Sequence, residues 1–137
     1  MNTKPFSKET CIHQSFSIVC GYLSDPIHLT AWTHFFKSLV RLHEGFYEFD
    51  TLMGKSQTRI VRTDLSKNQS YLEIKSIIKK KEESANLIVT AKSTQETQVV
   101  FTLNLPEVLS VDQQNKMLIS LEDELTTLKC LLEELPV

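Results

Sequence analysis

Six leucines in the last quarter of the chain constrain its fold most: Leu118, Leu121, Leu125, Leu128, Leu132 and Leu135 recur at alternating spacings of three and four. On an α-helix that spacing places all six on one face. The pattern predicts one long helix over residues 111–135, about 36 Å from end to end at the helical rise, with Asp112 able to cap it. Burying six leucines is worth on the order of 9–18 kcal/mol before conformational entropy is set against it. The same spacing fits a coiled-coil seam, but over fewer than about four heptads, and its flanks are mainly acidic and would repel across a homodimer. Packing against the rest of the chain is the stronger reading.

The preceding residues offer that surface. Alternating apolar and polar runs at 35–42, 46–53, 57–64, 71–78, 87–93 and 99–105 are separated by polar turns about every ten residues, the signature of an antiparallel meander. Alternation also gives each strand an inner face. Leu72, Ile74 and Ile78 oppose Glu73, Lys75 and Lys79; Leu87, Val89 and Ala91 form the next row, and Val99, Phe101, Leu103 and Leu105 the last. Tyr47 and Phe49 oppose Glu48 and Asp50. Pro106 ends the last strand. At the other end of the chain, residues 4–11 read as extended. Residues 12–23 fit either period: Phe16, Ile18, Cys20 and Tyr22 alternate, while Ile12, Phe16, Val19, Cys20 and Leu23 fall at helical spacing, with Ser15 as a cap. Ser24-Asp25-Pro26 then starts a short helix over 26–31. The architecture is α+β: a sheet with one apolar face and a long helix laid across it.

Bulk properties exclude several functions. With 137 residues the chain has the usual size of one domain, and no repeat or linker divides residues 1–137. A net charge of −2 with interleaved signs provides no basic face for nucleic acid. No apolar run reaches membrane-spanning length, and residues 1–10 lack the apolar core of a secretion signal, so a cytoplasmic protein is expected. Cys11, Cys20 and Cys130 lack metal-ligand spacing and read as reduced, mostly buried thiols. His13, His28, His34 and His43 show no paired spacing, so no metal site is expected. Three glycines form no phosphate-cradling loop, no G-x-S-x-G elbow is present, and no cofactor is implied. Glu48, Asp50 and Glu73 alternate outward, so no acid–base carboxylate pair is indicated.

Element order and certain local sequences together resemble the START-like (SRPBCC, helix-grip) superfamily, which includes polyketide cyclase/dehydrase relatives and lipid-transport proteins. The resemblance rests on the segment Tyr22-Leu-Ser-Asp-Pro-Ile-His-Leu-Thr-Ala-Trp-Thr33, with its Asp-Pro break and terminal tryptophan. It rests also on the hairpin at Gly54 and on the terminal run Leu125-Thr-Thr-Leu-Lys-Cys-Leu-Leu-Glu134. It implies a helix over 15–23, two short helices after the first strand, and a curved antiparallel sheet of six to seven strands wrapped around the C-terminal helix. It implies too a small apolar or amphipathic ligand held between sheet and helix, without catalysis. A cyclase- or dehydrase-like enzyme and a co-chaperone-like interaction module are the alternatives. The protein is expected as a monomer or weak homodimer.

The expected lining of that cavity is Trp32, Phe36, Tyr47, Phe49, Ile60, Arg62, Leu72, Ile74, Phe101, Leu103, Leu118, Leu121 and Leu125. Arg62 is the most specific of these. A two-residue turn at Gly54-Lys55 or Met53-Gly54 places Thr58, Ile60 and Arg62 inward and Arg59 outward; a three-residue turn reverses this. An inward arginine keeps its charge and requires a carboxylate, carbonyls or an anionic head group. It either fixes the polar end of a ligand, or is solvated or paired with an acid of the long helix such as Glu122. Trp32 is read as core at the junction of short helices and sheet, or as a lid. In the enzymatic reading, Arg62 and Tyr47 polarise a carbonyl.

Overall fold

The computed structural model describes residues 3–106 and 110–135. The strands are β1 (Thr3–Ile12), β2 (Phe36–His43), β3 (Phe46–Thr51), β4 (Gly54–Ser66), β5 (Gln69–Ile78), β6 (Lys81–Ser93) and β7 (Glu96–Pro106). Helix α1 (Phe16–Ser24), a single 3₁₀ turn (Pro26–His28) and α2 (Leu29–Trp32) intervene between β1 and β2, and α3 (Val111–Glu133) follows β7. The strands form one antiparallel seven-stranded sheet in the order β1-β7-β6-β5-β4-β3-β2, a meander whose far edge is closed by the first strand. The sheet wraps around α3, the α+β helix-grip arrangement.

Local chemistry accounts for the elements. The Ser15 hydroxyl accepts from the Ile18 N–H at 3.4 Å and starts α1. Asp25 accepts from Ile27 N–H at 3.1 Å and starts the 3₁₀ turn, where Pro26 has no N–H to leave unsatisfied. Ser110, rather than Asp112, caps α3. Its hydroxyl accepts from the Gln113 N–H at 3.1 Å while the Gln113 side chain accepts from the Ser110 N–H at 2.9 Å. This reciprocal box satisfies two orphan donors where an aspartate in the first turn satisfies none, so the helix starts there.

The leucine face is buried as expected at Leu121, Leu125, Leu128 and Leu132, which pack with Leu72, Ile74, Leu87, Val89, Val99 and Phe101 of the sheet. Leu118 is half-buried, and Leu135 lies past the end of the helix, exposed. The side chain of Leu105 lies outside the described residues.

Several boundaries depart from expectation. The β3–β4 turn is Leu52-Met53, since Thr51 pairs with Gly54 and Phe49 with Ser56. The Thr51 hydroxyl accepts from Met53 N–H at 3.1 Å and donates to the Gly54 carbonyl at 2.6 Å, and Gly54 takes φ +117°, which selects this register over a turn on the glycine itself. Parity is kept, so the inward set of β4 is Ser56, Thr58, Ile60 and Arg62. The polar run at 79–84 is no long turn: Lys79 and Lys80 alone make it, both with positive φ (51° and 66°), and β6 begins at Lys81. The thiols also differ from expectation. Cys20 is buried, but Cys11 and Cys130 are exposed, because Ile12 takes the inward place at the end of β1 and the leucine row takes it on α3.

Candidate functional site: a cavity under the first half of the long helix

The gripped face has two ends. At one lie the β2–β3, β4–β5 and β6–β7 turns, the C-terminus of α3 and helix α1, and there the interior is filled. Gln14, buried, donates from Nε2 to the Leu132 carbonyl at 3.0 Å, and its backbone carbonyl accepts from the Thr97 hydroxyl at 2.8 Å. Lys129 Nζ donates to the Cys11 carbonyl at 2.6 Å and to Glu133 at 2.7 Å, and Glu133 also accepts from His13 N–H at 2.8 Å. These bonds tie the end of α3 to the β1–α1 junction and hold the Glu133 carboxyl below its ordinary range.

At the opposite end, under the N-terminal half of α3, a cavity of about 260 Å³ remains. Its lining comes from Phe36 of β2, Ile74 and Ser76 of β5, Glu83, Ser84 and Ala85 of β6, and Phe101, Leu103 and Asn104 of β7. Thr33, His34 and Phe35, the turn residues Leu52 and Met53, and Met117, Ser120 and Glu124 of α3 complete it. Exposed His34, Leu52, Met53, Glu83 and Ser84 place its mouth between the hairpin ends and α3. That volume is room for about nine water molecules at liquid density.

Of the residues expected to line a cavity, Phe36, Ile74, Phe101 and Leu103 do so. Trp32, Phe49, Leu72, Leu121 and Leu125 are instead buried in packed core, and Tyr47, Ile60 and Leu118 pack against it half-buried. Trp32 meets Phe101 edge-on, with ring centroids 5.3 Å apart. The difference on α3 is one of rotation. The cavity faces Met117, Ser120 and Glu124, a row at i, i+3 and i+7 beside the leucine row.

Arg62 does face inward, but toward the filled end. Its Nε donates to Asp64 at 2.8 Å, and Asp64 also accepts from the Ser70 hydroxyl at 2.6 Å. Asp64 raises the guanidinium's pKa, and the Ser70 hydroxyl together with Arg62 lowers the Asp64 carboxyl's, so the charge is satisfied within its own strand and not by Glu122, which instead meets Lys8 at 3.8 Å. Buried Cys20 lies close enough to feel this pair, and burial pushes its thiol up, partly offset by Ser70 and Arg62.

Inside the cavity the conspicuous polar group is Glu124, 6% exposed. Its Oε2 accepts from the His34 backbone N–H at 2.8 Å, while Oε1, which accepts nothing among the described residues, is open to the cavity rather than sealed from solvent. Burial raises the Glu124 pKa, the His34 N–H opposing part of the shift. His34 Nδ1 lies 3.2 Å from the Ser120 hydroxyl. From Ser76 on the lining a buried hydroxyl chain runs beneath the cavity, Thr58 to Ser76 at 2.8 Å and Ser56 to Thr58 at 2.9 Å, which satisfies the polar strand β4 from within. No group of three or more potential metal ligands occurs among the described residues, and no described helix is long and apolar enough to cross a membrane. Sequence reasoning passed over Glu124 although position 124 falls three residues after Leu121, inside the apolar arc. An acid there was the available signal.

No protein-family model and no curated protein matches the sequence. Solved structures do match. The hypothetical protein jhp0584 from Helicobacter pylori superposes with a TM-score of 0.72 at 14% identity, over 96% of this chain and 89% of that one. A START superfamily protein from Mycobacterium smegmatis gives 0.66 at 14% identity, over 96% and 99%. DynU16, encoded in the dynemicin biosynthetic locus, gives 0.62 at 10% identity over 95% of this chain but 47% of its own. At such identities likeness speaks for the fold alone, and the fold of this chain is that of the START-like, helix-grip superfamily.

Proposed function

We propose that the protein binds a small apolar or amphipathic molecule in the cavity between sheet and α3, without transforming it. One observation carries this reading: among close-packed elements, a hollow of about 260 Å³ persists beneath α3, walled largely by Phe35, Phe36, Ile74, Phe101, Leu103 and Met117. Burial of a ligand's apolar surface against those walls supplies the affinity, about 0.8 kcal/mol per methylene. The START-like fold supports the reading by analogy only. Native mass spectrometry of freshly purified protein tests it, with a co-purifying small molecule that is lost on denaturation as the expected result. No adduct, together with no melting shift across a library of small apolar compounds, would count against binding.

A second reading has one observation in its favour. Glu124 and His34 lie side by side among the three ionisable groups of the lining, and a buried carboxyl of raised pKa suits proton transfer. Time-dependent conversion of a bound compound, abolished in Glu124→Gln, would favour an enzyme over a carrier.

A further inference from the structure

The polar part of the cavity has one sign. Among the described residues its lining includes the carboxylates of Glu83 and Glu124 and contains neither lysine nor arginine; His34 is the only other titratable side chain among them. Lys79 and Lys80 stand on the neighbouring β5–β6 turn, outside the lining. The one arginine on the gripped face, Arg62, is bound to Asp64 and does not line the cavity. An anionic head group would therefore enter an apolar space facing two acids with no counter-charge. Glu124 poses the opposite requirement. It is almost fully buried, one oxygen is held by the His34 N–H, and the other has no partner among the described residues. A buried carboxylate with unfilled acceptor capacity is stabilised most by a cationic donor. Folding has already removed most of the water from this carboxylate, so binding carries chiefly the desolvation of the incoming cation.

We propose that the cavity's ligand is an amphipathic amine, its ammonium against the Glu124 carboxylate and its hydrocarbon part along Phe36, Phe101 and Leu103. This rests on the binding reading above and names the ligand class. A neutral hydroxyl could donate to the same oxygen but brings no charge, and a fatty acid is disfavoured.

The test is calorimetric titration of the full chain at pH 7 with three probes of equal chain length: octylamine, 1-octanol and octanoate. Octylamine is expected to bind roughly tenfold or more tightly than octanol, the difference between charge-assisted and neutral hydrogen bonds, with octanoate weakest. In Glu124→Gln, which keeps shape and the acceptor for His34, octylamine should fall to the level of octanol while octanol is unchanged. The ranking in the unsubstituted protein decides independently if that variant folds poorly. Octanoate binding as tightly as octylamine, or an amine preference that survives Glu124→Gln, would overturn the assignment. Octanol binding with no amine preference removes the amine reading and leaves the binding reading standing. Failure of all three probes to bind removes both.

Discussion

The two halves of α3 rest on the same sheet under different conditions. The C-terminal half, with Leu125, Leu128 and Leu132, lies on a closed interior and is tied down by Gln14, Lys129 and Glu133. The N-terminal half presents Met117, Ser120 and Glu124 to a hollow, and its neighbours include the exposed apolar turn Leu52-Met53. At the packed end Val19, Cys20 and Leu23 of helix α1 are buried in the core against the sheet; at the other end α2 packs beside α3 and Trp32 meets Phe101, yet the hollow remains. In this chain close packing and open volume thus lie at opposite ends of one element. A close-packed end tolerates neither loss nor gain of volume, whereas a hollow end tolerates both.

This contrast can be broken by substitution. The largest effect is expected at the packed end. Leu121→Asp, which places a charge in the closed core between the two halves, should abolish cooperative unfolding, and Leu128→Ala should cost about 2–5 kcal/mol by chemical denaturation. Met117→Ala at the cavity should cost less than about 1 kcal/mol; equal losses at Leu128 and Met117 would show that the two ends are packed alike. Added volume sharpens the comparison. Ala85→Leu, into the cavity, should be neutral or stabilising by up to about 1 kcal/mol, whereas Cys20→Leu should destabilise by about 1–3 kcal/mol.

The hollow end also holds backbone strain. Lys79 and Lys80 both adopt the left-handed conformation that Asn-Gly adopts at little cost, so Lys79→Asn with Lys80→Gly should stabilise by about 1 kcal/mol, read as a rise in melting temperature.

A pH effect completes the series. The Glu124 pKa is raised on folding, so the native state binds its proton more readily than the unfolded chain does. Its contribution is therefore fully present below the ordinary carboxylate pKa and is lost as pH rises through the folded value. Glu124→Gln should remove that loss, gaining stability relative to the parent at pH 7 and none at pH 4. A constant difference between the two proteins across this range would indicate that Glu124 is not desolvated.

Much of the architecture was legible because it depends on periodicity. The leucine row, the alternation of β5 to β7 and the Asp25-Pro26 break each act over a few residues, and the structure keeps them. Register was less legible. Three candidate turns lie within residues 52–55, and the choice of Leu52-Met53 depends on the Thr51 hydroxyl reaching both Met53 and Gly54. The partner of Arg62 was within reach, since Asp64 sits two residues along on the same strand face, but only the folded geometry showed that the two join.

The chain's own pattern determined that a long amphipathic helix would be buried on the apolar face of a meander, because burial of regularly spaced side chains dominates the energy of such segments. Tertiary structure alone decided where that burial is incomplete. The rotation of α3, by about one residue's turn, and the reach of α1 along the sheet are set by all the packed side chains at once. No local spacing encodes that Glu124 rather than Leu121 or Leu125 faces the hollow.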